Sequence, residues 1–287
     1  MNTRTGIVAY FDTNIFDNIL KKTAGVLEDD MPQLLRAIES RRLAIVTSIL
    51  NISETMDARR PEIVLSQLNL IARLADRDRF VKPHDLVLTD DIKHFAWNGE
   101  PGSPFIREPM LGQLRTALDR ILRGQETIRD FEDVIQQNEN ENQKARFLDG
   151  ISDVRSETYP QIQELREGGE VPSFERYLAD QSERVARAFA RRVGVENECE
   201  RLGLANLLKV RSVALTVGLS LSFIYRAAVE GKIPDRGASR DLQQAPPAAA
   251  SADVFVTHDR ELGQLLRRVP MKKFKILTLR DLLNEIG

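Results

Sequence analysis

At 287 residues the chain makes one large domain or two small ones, and it is long enough to bury a core without disulfide staples. Lys and Arg number 41 against 43 Asp and Glu. That balance excludes a uniformly basic nucleic-acid coat and an acidic tail protein, but leaves room for a local basic channel. One cysteine, Cys199, excludes an internal disulfide and any multi-cysteine metal cluster, and fits a reducing compartment.

The opening MNTRTGIVAYFD does not read as a secretory signal, because its apolar run is short and ends in a carboxylate with no small-residue cleavage site. Gly6–Phe11 (GIVAYF) reads as a buried strand, by length and by β-branched and aromatic content. Ile15–Leu20 and Met31–Ser40 read as helices, Leu43–Thr47 as a second strand, and a helix begins near Leu50. From Pro61 to about Gly231 the pattern is almost only helical. Leu65, Leu68, Ile71, Ala72 and Ala75 keep helical spacing, and Leu111–Gln143 and Phe174–Arg192 are long polar helical stretches. Loops are expected at Asn98–Pro109 and Gly168–Pro172. Val213–Tyr225 is the most apolar run, but it falls short of the about 20 residues a membrane span needs. It reads as a buried helix, with a cytoplasmic protein and no membrane partner as the expectation.

The last 50 residues return to strands. Asp241–Ala252 reads as an Ala-rich helix that starts or kinks at Pro246-Pro247, since proline breaks a helix interior. Val254–Thr257 is a third strand, Glu261–Arg268 a helix, Phe274–Leu279 a fourth strand and Arg280–Ile286 a closing helix. Strands alternating with helices at both ends predict an α/β fold with a parallel sheet. The expected division is 1–60 with 232–287 as the sheet domain, and 61–231 as a large all-α insertion or cap.

Carboxylates stand at the ends of these strands. Asp12 ends the first, Glu54 follows the second, Asp259 follows the third, and Asp241 opens the helix that feeds it. Functional groups gather at the carboxyl ends of strands in open parallel sheets. Taken singly, Asp12, Asp241 and Asp259 read as helix caps and Glu54 as a surface residue. Taken together, clustered carboxylates need a positive partner. Oxygen donors with no required His or Cys suit Mg²⁺ or Mn²⁺ rather than zinc.

The pattern resembles the PIN-domain nuclease family. Phe11–Phe16 (FDTNIF) looks like that family's opening strand and Asp-x-Asn signature. Thr47-Ser48…Ser53-Glu54 is similar to its second strand and glutamate-bearing helix. Asp241 to Asp259, ending Val256-Thr257-His258-Asp259, is similar to its third and fourth acidic positions, and FKILTLRDLL to its last strand and helix. The resemblance covers roughly the first 60 and last 50 residues. It implies a PIN-like metal-dependent endonuclease cutting single-stranded RNA, with DNA as a second substrate. Asp12, Glu54, Asp241 and Asp259 would hold one or two Mg²⁺ or Mn²⁺ ions, with Asn14 and Thr257 as supporting polar groups and Ser48 and Ser53 as weaker ones. Family roles include toxins held by an antitoxin, RNA processing and defence, and dimers are common. The two prolines make Asp235 and Asp253 substitutes for Asp241.

Other readings stand beside this one. Arg184, Arg187, Arg191 and Arg192 cluster on one helical face, within a segment 176–236 holding 11 basic and 7 acidic residues. A solvated face is the default there, and nucleic-acid contact the sharper reading. His258 and Trp97 read first as ordinary packing, with phosphate contact and base stacking second. One rival is an α/β phosphatase using Asp12 as nucleophile, which would want Asp where position 14 has Asn. Another is a non-catalytic helical interaction or nucleic-acid-binding protein with a degenerate core.

Overall fold

A computed structural model describes residues 6–56, 60–125, 128–145, 159–231 and 236–287, the side chains of 138–145 and 236–242 excepted. Five strands form one sheet: β1 (Ile7–Phe11), β2 (Leu43–Ser48), β3 (Ala75–Val81), β4 (Val254–Val256) and β5 (Lys275–Leu277). Their order is β3-β2-β1-β4-β5, and all four pairings are parallel. β1 therefore lies at the centre. The chain runs outward from it through β2 to β3, then crosses back to place β4 on β1's other side. That reversal between β1 and β4 is the topological switch point where α/β sheets place their ligands.

Alternation along β1 explains the layers. Val8 and Tyr10 face one side of the sheet, Ala9 and Phe11 the other, as strand geometry requires. On the Phe11 side pack α1 (Thr13–Lys21), α2 (Asp30–Glu39), α4 (Pro61–Leu74) and α15 (Leu279–Ile286). The Tyr10 side is covered by α12 (Arg211–Ala228), α13 (Arg236–Ser251) and α14 (Arg260–Arg267), with Val87 of α5 (His84–Asn98) beneath the sheet's edge. A second layer joins α5 and α12 to α8 (helical over 159–167), α9 (Phe174–Val193), α10 (Glu196–Leu202) and α11 (Leu204–Leu207). A further cluster holds α3 (Ile49–Met56), Phe80 of β3, α6 (Met110–Leu122) and α7 (Ile128–Ala145).

Three expectations change. First, β3 falls inside the stretch read as helical: Ala75 begins a strand, and the charged ADRDRFV is the sheet's edge. Edge strands tolerate charge because one side has no strand partner. Second, the long stretch 111–143 divides into α6 and α7, with Gly124 in a left-handed conformation (φ 72°) between them. Third, α13 runs through both Pro246 and Pro247 without ending there. The missing N–H groups cost helix stability, about 3 kcal/mol for one interior proline. Small residues packed flush against the sheet offset that cost: Ala245, Ala248, Ala249 and Ala252 are at most 1% exposed. α12 is the buried helix expected, and two of its hydroxyls are satisfied within it: Thr216 and Ser220 donate to the carbonyls of Ser212 and Thr216. Among the described residues no helix is long and apolar enough to cross a membrane.

Candidate active site

The switch point brings together the end of β1 and the end of β4, residues 245 positions apart in the chain. Asp12 occupies the N-cap position of α1 with extended backbone (φ −63°, ψ 150°), yet its side chain makes no capping bond. It turns instead across the sheet, where Thr257 Oγ1 donates to Asp12 Oδ2 at 2.7 Å and Asn14 Nδ2 donates to the same oxygen at 2.5 Å. Thr257 Oγ1 also accepts from Asp259 N at 3.0 Å and from Asn14 Nδ2 at 3.3 Å. Asn14 Oδ1 accepts from His258 N at 3.2 Å. Asn14 and Thr257 thus tie the two strand ends into one polar lattice around Asp12.

Asp12 is buried, and its carboxyl is pushed up to about 6. Burial is the largest cause; repulsion from Glu54 and then Asp259 adds to it, while the Thr257 hydroxyl and Thr13 N–H oppose it. Glu54, half-buried on α3, accepts from Thr13 Oγ1 and from Gln244 Nε2 (2.8 Å), both on Oε2. Asp259 behaves differently. It caps α14, its Oδ1 accepting from Glu261 N (2.8 Å) and Leu262 N (2.9 Å), and it is exposed.

Three residues of this site were not singled out by sequence reasoning. Asn51, fully buried one turn before Glu54, accepts from Tyr10 OH (2.9 Å) and Ser48 N (3.0 Å) on Oδ1. It donates to Phe11 O (3.1 Å) and Thr13 Oγ1 (3.0 Å). Thr13 is the second, bridging Asn51 to Glu54. Gln244 is the third; it lies one turn after Asp241 on α13, and its Oε1 is buried with no hydrogen-bond partner among the described residues. One-turn spacing from a candidate acid was the available signal for Asn51 and Gln244. Ser48 belongs to the same network through Tyr10 OH at 2.6 Å, whereas Ser53 is half-buried beside Glu54.

Asp241 lies on α13, and its side chain lies outside the described residues, as does Asp235 entirely. Asp253 does not substitute for it. Its Oδ2 accepts from Val8 N at 3.2 Å at the amino end of the sheet, the opposite end from Asp12. His258 takes a bond from Asn18 Nδ2 on Nδ1 (2.9 Å), which leaves its proton on Nε2, and burial lowers its pKa. Two of the four arginines are held by acids of α10: Arg187 by Glu200 at 2.7 Å and Arg191 by both oxygens of Glu196 at 2.9 Å. Arg184 and Arg192 also have partners.

Among the described residues no three His, Cys, Asp or Glu side chains form a metal-holding group. The chemistry of the donors still suits a hard cation: a buried carboxylate, two further carboxylates repelling it, and an unsatisfied amide oxygen on Gln244, with no thiolate. Comparison with family models, with curated proteins and with solved structures returned no match to this chain. The class that fold and site define is thus an α/β protein with three mutually repelling carboxylates gathered at its switch point.

Proposed function

We propose that the chain is a PIN-like, Mg²⁺- or Mn²⁺-dependent endonuclease that hydrolyses phosphodiester bonds in single-stranded RNA. The observation that carries this reading is Asp12: an acid at a helix N-cap that gives up capping, is buried at the switch point, and is pushed up to about 6 beside two other carboxylates. Buried like charges are costly without a cation. Asp12, Glu54 and the Oδ2 side of Asp259 would hold the ion, with Asp241 the fourth candidate. The ion would supply an activated water and charge stabilisation for in-line displacement at phosphorus. Thr257 and Asn14 fix the rotamer of Asp12 through its Oδ2, and Thr13 and Gln244 fix that of Glu54. Asn51 holds Thr13 in turn, so the site's rigidity derives from a buried network rather than a loop.

The non-catalytic reading has one observation in its favour, the commitment of Asp259 Oδ1 to capping α14. The same assay separates the two. Labelled single-stranded RNA and DNA are incubated with Mn²⁺ or Mg²⁺, with EDTA, and with the folded Asp12→Asn and Asp259→Asn variants. Metal-dependent cutting of RNA, lost in Asp12→Asn and at least tenfold slower in Asp259→Asn, is expected. Full activity in Asp12→Asn, or no cutting together with no Mn²⁺ binding by calorimetry, refutes the nuclease reading.

A further inference from the structure

α5 has two faces. Val87, Leu88, Asp91, Ile92 and Phe95 point inward and are buried. The other face carries Leu86, Asp90, Lys93, His94 and Trp97, spaced as one stripe along the helix. This stripe and the segment 102–110 bound a groove of about 490 Å³. Trp97 is expected from sequence to be a packing residue or loop anchor, but it is 65% exposed, the most exposed large apolar side chain among the described residues.

The groove's charges are unevenly matched. Asp90 is neutralised by Lys82 (2.7 Å), and Glu108 pairs with Arg115 (3.1 Å) outside the groove. Lys93 and Arg107 have no ion pair among the described residues. His94 is anchored by its Nδ1 on the carbonyl of Glu100 at 3.0 Å. The groove thus offers one open indole face and two uncompensated cations, in a protein whose net charge is −2.

Its position matters as much as its chemistry. Tyr10 pairs with Val46, and Ser48 pairs with Val81. Continuing that register sets Asp12 level with Ser48 and Val81. Lys82, the next residue, stands at the same end of the sheet as Asp12. It is two strands away, about 10 Å at ordinary strand spacing. From there α5 runs back alongside α12, His84 meeting Thr216 and Asp91 meeting Ser212, beside Arg211 that bonds Ala252 O at the amino end of β4. The groove thus leads away from Asp12 to Trp97, about 20 Å at 1.5 Å per residue.

We propose that this groove is a binding track for single-stranded nucleic acid, with a base stacked on Trp97 and phosphates met by Lys93 and Arg107. Stacking on an aromatic face needs an unstacked base, so a single strand suits the groove better than a duplex. The proposal deepens the nuclease reading by naming a path for the strand flanking the cut, and it rests on that reading only for what the path leads to.

Trp97 is the sole tryptophan, so emission excited selectively at tryptophan, beyond the absorption of the four tyrosines, reports on this groove alone. The full chain in EDTA is titrated with 12-nucleotide oligo-rU and, separately, oligo-dT, at 50 and 200 mM salt. Saturable quenching that weakens at the higher salt is expected. Anisotropy of labelled oligo-rU should show affinity falling about tenfold in Trp97→Ala and in Lys93→Glu/Arg107→Glu, and mostly retained in Trp97→Phe. Absence of quenching by either oligonucleotide, or unchanged affinity in folded Trp97→Ala, overturns the groove. Stronger binding of rU than dT assigns the track to RNA, and equal binding to single strands in general. Quenching without cleavage under any metal would retain the track and discard the nuclease reading. Cleavage with wild-type affinity in Trp97→Ala would do the reverse.

Discussion

Replacing Asp12 by Asn should stabilise the metal-free protein at neutral pH while abolishing its proposed activity. The carboxyl is raised from 3.8 to about 6 in the folded chain, chiefly by burial. At about 1.4 kcal/mol per pKa unit, ionised Asp12 costs the fold about 3 kcal/mol. Below 3.8 both folded and unfolded chains hold the proton, and the cost is absent. Between 3.8 and about 6 only the folded chain keeps it, so stability falls as pH rises through this window. Above about 6 the full cost is present. Asn would keep an acceptor for Thr257 and Asn14, whose bonds both end on Oδ2, but the Thr13 N–H that favours the carboxylate would lose part of its acceptor. The net gain is therefore about 1–2 kcal/mol at pH 7.5. Asp91 is also pushed up to about 6, mainly by burial, so the wild-type slope has two sources and only the difference between proteins isolates Asp12. Urea unfolding in EDTA at pH 4.5 and 7.5 measures it. A folded Asp12→Asn that is less stable than wild type at pH 7.5, with an unchanged pH slope, would refute this account of the site.

Two further substitutions probe the frame. Asn51→Ala leaves Tyr10 OH, Ser48 N and Thr13 Oγ1 short of a partner in the buried network, and should cost about 2–4 kcal/mol by urea unfolding; a loss under 1 kcal/mol would show the network to be dispensable. Gly218→Ala would set a Cβ onto Val269 Cγ1 and 2.7 Å from its Cγ2, where α12 crosses the chain after α14. Val269 is buried and stiff at χ1, so a destabilisation of about 1–3 kcal/mol is expected; unchanged stability would mean the crossing relaxes freely.

Of the four strands read from sequence, β1, β2 and β4 are apolar runs dictated by burial on both faces of a parallel sheet, whereas β5 is an edge strand with an exposed Lys275. β3 escaped because it fills its edge position with a run of charge, where β5, the other edge, keeps an apolar run with Phe274 buried and Ile276 and Leu277 half-buried. In β3, Asp76, Arg77, Asp78 and Arg79 are partly exposed, and no apolar run announces the strand. The prolines of α13 misled in the opposite sense. Local cost argued for a break, while burial of four alanines against the sheet, invisible in local sequence, carried the helix through. At the site, Asp12 and Asp259 look alike in sequence, each an acid just before a helix. They separate only in three dimensions: Thr257 and Asn14 compete for Asp12 and draw it from its cap, whereas Asp259 keeps its cap.

The helices between the two halves of the sheet are not a detachable lid. α12 puts Val213, Val217 and Leu221 into the helical layer and Leu215, Leu219 and Phe223 against the sheet layer. α5 does the same with Leu88, Ile92 and Phe95 on one side and Val87 on the other. β3 hydrogen-bonds to β2 from within the intervening stretch, and Ser212 of α12 bonds the buried Asp91 of α5. Shared side chains of this kind couple the two layers, because a void on either side is paid for by both. The groove beside Trp97 is built on α5, and α5 is fixed by the same packing that covers the sheet over Tyr10. The placement of that groove relative to Asp12 is therefore set by the core itself, so the proposed track and the proposed site would be held rigidly with respect to each other.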